Sequence, residues 1–291
     1  RDVAPSRGLG DVYKRQHSLE QERYEKLYNY YIGKHAICER RRSSDNIANN
    51  KIVCNHAKYI VDIAKSYLVG NPVAYSCSDG YDIEAVKNCF AVQDMPSLDA
   101  EFEKTMSIFG KAYELVYADE QSQPKSVCLP PSNTFIVYGA GVGEIPLYGI
   151  HYYKKRDIDG AVTGVCCIVC DREMIYTYEN TADSFLHMTM TNSQHHYFGK
   201  MPMVEYRNNE EKQGDFEQMI PLIDAYNILE SDRVNDKEQF VDAFLFLTGI
   251  DLDSEQAKKL REERILMGYE GAEAQYLSKV MSESDIEVLK D

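Results

Sequence analysis

The residue types that carry chemistry occur in this chain as a few small groups, and spacing decides what each can hold. Cys166, Cys167 and Cys170 are the one cluster among eight cysteines. Three thiolates begin a tetrahedral zinc site, which needs four ligands converging on one point. These three sit on an apolar run, residues 165–169, that reads as a strand. Alternation there sends Cys166 and Cys170 to one face and Cys167 to the other, and no second CxxC lies at zinc-knuckle distance. Buried, reduced thiols are the expectation. His195-His196 is the second group. Neighbours on an extended chain point to opposite sides, and no carboxylate stands at ligand spacing, so an exposed polar loop is expected. His151 and His187 stand alone on strands, and His56 at a helix start. The third group, Gly139-Ala140-Gly141-Val142-Gly143, follows a strand as a phosphate-binding turn does. Its spacing is not GxGxxG, and Pro146 and another strand follow where a helix is required, so it reads as a hairpin turn. Glu210-Glu211 and Asp251-x-Asp253 are paired carboxylates in a chain holding 47 acidic residues, where such pairs are solvated surface by default. There is no GxSxG, no HExxH and no Cys-His signature. No enzyme, no metal and no cofactor are expected.

The bulk numbers narrow the classes further. With 291 residues, 44% apolar and 27% charged, the chain has a globular composition and room for two domains. No run of eighteen apolar residues occurs, which excludes a membrane-spanning helix, and no signal-like segment is seen, so a cytoplasmic origin is expected. The net charge of −15 means that attraction to nucleic acid is not written into the overall charge. Residues 1–16 show no hydrophobic period and resemble a translated adapter, so they are set aside from the fold.

The elements come in three blocks. Helices are predicted over 17–31, 55–69, 82–90 and 97–109, with Asn55 and Ser97 as caps and Gly110 closing the last. Between the first two lies a basic stretch from Lys34-His35 to Arg40-Arg41-Arg42, then a polar loop, 43–50. The stretch reads as a solvated segment, or as a contact with an acidic neighbouring subunit or DNA phosphate. Period-two patterns then predict strands at 112–117, 126–129, 134–138, 147–153, 162–169, 174–178 and 201–206. A helical opening followed by a mostly antiparallel sheet is an α+β plan. From Asp215, read as a cap, a helix runs to about 242, with Pro221 kinking it or marking its true start. Its expected apolar face is Leu222, Ile223, Tyr226, Leu229 and Val234, continued by Phe240, and its length is roughly 40 Å. A strand at 244–247, a helix at 253–263, a strand at 275–277 and a helix from 282 complete the chain.

Residues 198–249 (FGKMPMVEYRNNEEKQGDFEQMIPLIDAYNILESDRVNDKEQFVDAFLFLTG) carry a resemblance. A strand ending Pro-x-Val-Glu-Tyr leads through Asn-Asn-Glu-Glu and Gly-Asp-Phe-Glu into a helix with Leu-Ile-Asp-Ala-Tyr-Asn. Three earlier blocks agree in order: YYIGKH from Tyr30, NNKIVCNHAKYIVDIAKSYLVGNPVAY from Asn49, and FGKAYELVY from Phe109. Together they resemble the portal proteins of long-tailed phages of Gram-positive hosts. The resemblance implies a wing over 17–214, a first stem helix over 215–243, a small α/β clip over 244–281, and the start of a second stem helix at 282–291, where the reading frame looks truncated. It implies a dodecameric ring of identical chains at the capsid vertex, through which double-stranded DNA is packaged and ejected without regard to sequence. Terminase, scaffold, major capsid and head-completion proteins are the implied partners, with no membrane. The implied location is the virion, after assembly in the host cytoplasm. Asp224, Glu230, Asp232, Arg233, Asp236 and Lys237 are the candidate channel or inter-subunit residues, and Leu222, Ile223, Tyr226, Leu229 and Phe240 the candidates for ring packing. The competing readings are a metal-dependent nucleic-acid-processing enzyme of a mobile element and a scaffold built on the long helix.

Overall fold

A computed structural model describes residues 7–41, 48–139, 141, 143, 145–185, 187–241, 244–248 and 273–277. The chain divides into two compact units, Arg1–Ala36 with Val53–Ala225, and Ile37–Ile52 with Tyr226–Asp291.

The first unit opens with helices α1 (Arg7–Tyr31), α2 (His56–Val69), α3 (Glu84–Val92) and α4 (Met95–Phe109). Helix α1 starts at Arg7, inside the segment set aside above, so that exclusion removed helical backbone. Asn55 caps α2 as expected, its side-chain oxygen accepting the Lys58 N–H at 3.0 Å. Helix α4 begins two residues before the predicted start. Asp94 takes the left-handed conformation ahead of it and Pro96 fills its first turn, a position where a missing N–H costs nothing, so Ser97 lies inside the helix. Apolar faces of α1, α2 and α4 meet in one cluster containing Tyr24, Leu27, Tyr30, Val61, Ile108 and Phe109.

Eight strands follow: β1 (Lys111–Ala118), β2 (Pro124–Leu129), β3 (Thr134–Tyr138), β4 (Pro146–Arg156), β5 (Val162–Cys170), β6 (Met174–Asn180), β7 (Thr189–His195) and β8 (Met203–Arg207). They form a three-stranded sheet, β2-β1-β8, and a five-stranded sheet, β3-β4-β5-β6-β7, with every pairing antiparallel. The α+β expectation holds. A second cluster joins Tyr113, Leu115 and Met203 of the smaller sheet to Ile136 and Cys170 of the larger. Strand β7 was not foreseen. It is exposed along its whole length, and a strand with neither face buried carries no apolar alternation to read.

Two buried histidines make stability depend on pH. His17 bonds the Ser132 carbonyl at 3.0 Å and stacks on Phe135, while His151 Nδ1 meets Thr134 Oγ1 at 2.8 Å. Burial holds both below the ordinary imidazole value of 6.5. The unfolded chain then binds protons that the folded chain refuses, so their contribution is present above about pH 6.5 and is lost as pH falls. Asp99 and Glu103, raised by burial and by Glu114 and Asp215 respectively, act in the opposite sense. The urea midpoint of the wild type is therefore expected to drop from pH 7.5 to 5.5 by more than that of a His151→Gln variant. Equal drops would remove His151 from this account.

Helix α5 (Ile220–Val241) runs from the first unit into the second. A 3-10 turn, Glu217–Met219, precedes it, and Pro221 sits in its first turn. Pro221 thus marks the true start, and 22 residues give about 33 Å instead of 40. The second unit also holds most of a 3-10 turn, Ala36–Glu39, and an antiparallel pair, β9 (Phe244–Thr248) and β10 (Glu273–Leu277). The helices predicted at 253–263 and from 282 lie outside the described residues.

Candidate functional site

The segment that bears the resemblance is a joint leading into α5, and each residue of its Gly-Asp-Phe-Glu motif has a separate task. A Cβ on Gly214 would lie 2.4 Å from the Ile108 carbonyl oxygen, so the close crossing of the backbone over the end of α4 there requires glycine. Asp215 donates its N–H to the Ser107 carbonyl at 2.8 Å. Its carboxylate accepts from the Ser107 hydroxyl at 2.6 Å and from Asn208 Nδ2 at 2.7 Å. The expected role of Asp215 as the cap of α5 is therefore corrected: the carboxylate is engaged with α4 and the preceding turn. Phe216 is fully buried in the helical cluster. Glu217 receives a two-point bond from Arg23 of α1, Nε at 2.7 Å and Nη2 at 2.6 Å, the fork geometry that fixes orientation. One turn into α5, Asp224 accepts the Tyr30 hydroxyl on both oxygens at 2.8 Å. Burial first, then this bond, pushes the Tyr30 phenol up to about 12.

Beside the joint lies a charged hub. Glu205 on β8 receives Arg207 Nε at 2.7 Å and the Tyr113 hydroxyl at 2.9 Å, with Lys212 Nζ 3.3 Å away. Burial opposes its ionisation, but Arg207, Lys212, Tyr113 and Lys111 outweigh that and hold the carboxyl below its ordinary value. Lys111 is itself buried, pairs with Glu20 at 2.9 Å and lies over the Tyr24 ring. These groups are paired with one another and hold the turn before α5 in place, so they offer a ligand no free valence that the geometry marks.

In the second unit the polar face of α5 is the hidden one. Asn227, Ser231 and Asn235 are 0%, 0% and 1% exposed, one beneath another at four-residue spacing. A strap, residues 48–52, lies along them. Asn50 N–H donates to Asn235 Oδ1 at 2.7 Å and Ile52 N–H to Ser231 Oγ at 2.9 Å, while the Ser231 hydroxyl donates to the Asn227 carbonyl at 2.6 Å. Arg40 Nη2 pairs with Asp232 at 2.5 Å. Within the basic stretch, Arg40 thus meets a carboxylate of its own chain. Neither alternative drawn from the sequence anticipated that; Arg42 lies outside the described residues.

The other candidate residues fall as follows. Ile223 belongs to the buried helical cluster of the first unit, so the contacts it makes there are internal. Leu222 is 61% and Leu229 36% exposed, and Ile228 and Val234 are exposed as well; Tyr226 is half-buried. The Phe240 side chain lies outside the described residues. Glu230 and Arg233 pair with each other at 2.9 Å, whereas Asp236 and Lys237 are joined to no described residue by an ion pair. Of the expected apolar face, Leu222, Leu229 and Val234 are thus exposed while Ile223 is buried, and the buried Asn227, Ser231 and Asn235 were missed. Their signal was present: uncharged polar residues recur every four positions along the helix, at Asn227, Ser231, Asn235 and Gln239.

The groups that opened the sequence reading stay apart. Cys166 and Cys170 are buried on one face and Cys167 is half-buried, as alternation required; Cys170, with burial as the main cause, is pushed up to about 12. His195 ends β7, and His196 bonds the Asp171 carbonyl at 3.0 Å. The glycine run spans the β3–β4 hairpin, with Gly139 N–H on the Ile145 carbonyl at 2.8 Å. Among the described residues, no group of three His, Cys, Asp or Glu is placed to hold a metal ion.

The described residues thus form an α+β chain whose recognisable motif is a structural joint into a long helix, and comparison with known proteins names the family. Residues 11–291 match the family described as phage portal protein, SPP1 Gp6-like. The chain belongs to that family. It is 27% identical over 237 residues to the portal protein of Bacillus phage SPP1, covering 73% of this chain and 46% of that protein. It is 22% identical over 250 residues to the portal protein of Clostridium phage phiCD119, covering 78% and 54%. The chain thus spans about half the length of the curated relatives it matches. Among solved structures, the neck of an empty gene transfer agent particle computed with C6 symmetry is similar at a TM-score of 0.44 and 14% identity, over 80% of this chain and 61% of that one.

Proposed function

We propose that the chain is part of a portal subunit, a structural and non-catalytic component of the virion that closes into a ring with identical copies and passes double-stranded DNA through it. The observation that carries this reading is the inverted α5. Three of its uncharged polar positions, Asn227, Ser231 and Asn235, are buried within the chain, while Leu222, Ile228, Leu229 and Val234 are left in solvent. A helix that hides an uncharged polar stripe and shows several of its apolar residues is suited to a further protein surface, and a ring supplies one through head-to-tail contacts between copies. Leu222 and Leu229 are assigned to that packing, with Tyr226 and Phe240 beside them. Asp224, Asp232 and the Glu230–Arg233 pair have intrachain partners, which leaves Asp236 and Lys237 as the channel or inter-subunit charges. The acidic excess suits a conduit. Phosphates repelled within a Debye length of about 8–10 Å slide instead of being held, whereas each neutralised phosphate would add affinity through counterion release. Terminase, scaffold, capsid and head-completion proteins are the partners such a ring would meet.

Negative-stain microscopy of the full-length parent protein tests this. Closed rings with a central channel are expected. Leu229→Asp should reduce the ring fraction by at least tenfold while shifting monomer stability by less than about 0.5 kcal/mol, as is usual at exposed positions. A monomer with metal-dependent nuclease activity would overturn the reading in favour of a nucleic-acid-processing enzyme.

A further inference from the structure

Between α3 and the smaller sheet lies a cavity of about 410 Å³, within the range of small-ligand sites. One wall is a single face of α3, with Val86, Cys89 and Phe90 at helical spacing and Gln93 just beyond. The opposite wall is Glu114 and Val116 of β1 and the first residues of β2. No residue of α3 is fully buried, so the helix holds its apolar side over this gap without filling it. Val86 is 49% exposed, and the cavity opens to solvent on that side. Two polar groups in it are incompletely answered. Gln93 Oε1 is buried without a hydrogen-bond partner. Glu114 is buried as well, and its oxygens accept the Ser126 hydroxyl and, at 2.6 Å, the Tyr206 hydroxyl. Among the described residues it forms no ion pair.

A buried carboxylate answered only by neutral hydroxyls lacks what normally accompanies it, a cation. The neighbouring charges do not supply one. Asp99 carries the same sign, and burial first, then Glu114, raises its carboxyl. Lys125 lines the cavity, but alternation sets its side chain on the other face of β2 from Ser126, which stands opposite Val116. A metal ion does not suit the site, because no group of three His, Cys, Asp or Glu converges among the described residues and the remaining walls are apolar. An ammonium is strongly hydrated and costly to strip of water, whereas a guanidinium is weakly hydrated, planar and carries five donors. Those donors can serve both Glu114 and Gln93 Oε1, while an alkyl stem lies against Val86, Phe90 and Val116. We propose that this cavity binds the arginine side chain of another protein, its guanidinium donating to Glu114 and Gln93 and its stem held beneath α3. The open side at Val86 leaves room for the chain that carries it. The site lies wholly within the first unit and depends neither on ring formation nor on DNA passage.

The cavity wall holds its own reporter, the Cys89 thiol. The probe is n-butylguanidinium, added to the full chain while alkylation of Cys89 by N-ethylmaleimide is followed by mass spectrometry. Exposed Cys38 and buried Cys170 serve as internal controls. Saturable protection of Cys89 is expected, with Cys38 unchanged. The same protection should need at least about threefold more n-butylammonium, and n-butanol should give none. Glu114→Gln should raise the half-protecting concentration by at least about tenfold, and Gln93→Leu by at least about threefold. If Glu114→Gln loosens the fold, seen as faster labelling of Cys170, Gln93→Leu carries the comparison, since it removes an unanswered polar atom. Absence of protection at Cys89, equal protection by n-butanol, or undiminished protection in the folded variants would overturn the proposal. Stronger protection by n-butylammonium would overturn it too, in favour of a lysine.

Discussion

Gly110→Ala is expected to destabilise the first unit by more than about 3 kcal/mol, while Gly160→Ala costs only about 1–2 kcal/mol. Both glycines have positive φ, +82° and +81°, so a side chain meets the same left-handed penalty at each. They differ in what a Cβ would touch. At Gly160, in the β4–β5 turn, nothing lies within 4 Å. At Gly110, the end of α4, the Lys212 carbonyl oxygen lies 2.0 Å away and its carbon 2.3 Å, with Gln213 N at 2.6 Å. All three are backbone atoms, which cannot swing aside as a side-chain tip can. Gly110 also donates to the Met106 carbonyl at 2.7 Å and accepts the Asn208 N–H at 3.0 Å, so displacement breaks the helix end and the turn together. Chemical denaturation of the two variants measures the difference directly. Equal losses would show that the left-handed conformation alone matters and that the close approach is relaxed at no cost.

That contact explains why motif blocks far apart in the sequence occur together. Gly110 belongs to the FGKAYELVY block and Lys212 to the segment before Gly-Asp-Phe-Glu, and Gly214 answers by crossing the Ile108 carbonyl. Tyr30 of YYIGKH bonds Asp224 of Leu-Ile-Asp-Ala-Tyr-Asn, and Asn55 of the long second block donates its amide to the Tyr31 carbonyl at 3.0 Å. The blocks are the two sides of the same contacts.

What could be read from the sequence follows from which forces leave a periodic trace. β4 and β5 were legible because burial of one or both faces writes alternation into them, and α2 because Asn55 and Gly70 punctuate an apolar stripe. β7 left no trace, since TMTNSQH buries neither face. The hidden face of α5 was misread for a related reason. Hydropathy sends Asn227, Ser231 and Asn235 outward, and only the strap, about 180 residues away in sequence, satisfies them inside. Asp215 was misread as a cap because its type and position suit one, whereas the competing acceptor role toward Ser107 is a tertiary fact. The joint itself was visible as a motif without its mechanism.

Phe216→Ala is expected to cost about 3–5 kcal/mol, the range for emptying a fully buried aromatic site, and it separates the two units in a way that Gly110→Ala does not. Phe216 has no exposed surface and is packed in the cluster that also holds Tyr24, Phe109, Ile220 and Ile223. Removing the ring opens a cavity beneath the start of α5, where three helices supply the walls and cannot all collapse inward. The loss should therefore appear as faster amide exchange across α1, α4 and residues 220–225. Residues 226–238 should respond less, because their contacts are the polar ladder of Asn227, Ser231 and Asn235 and the Arg40–Asp232 pair, which belong to the second unit. Phe216→Leu, which keeps most of the volume, should recover more than half of the stability. Equal acceleration of exchange on both sides of Ala225 would mean that α5 unfolds as one cooperative piece, and that the apolar joint, not the ladder, governs the whole helix.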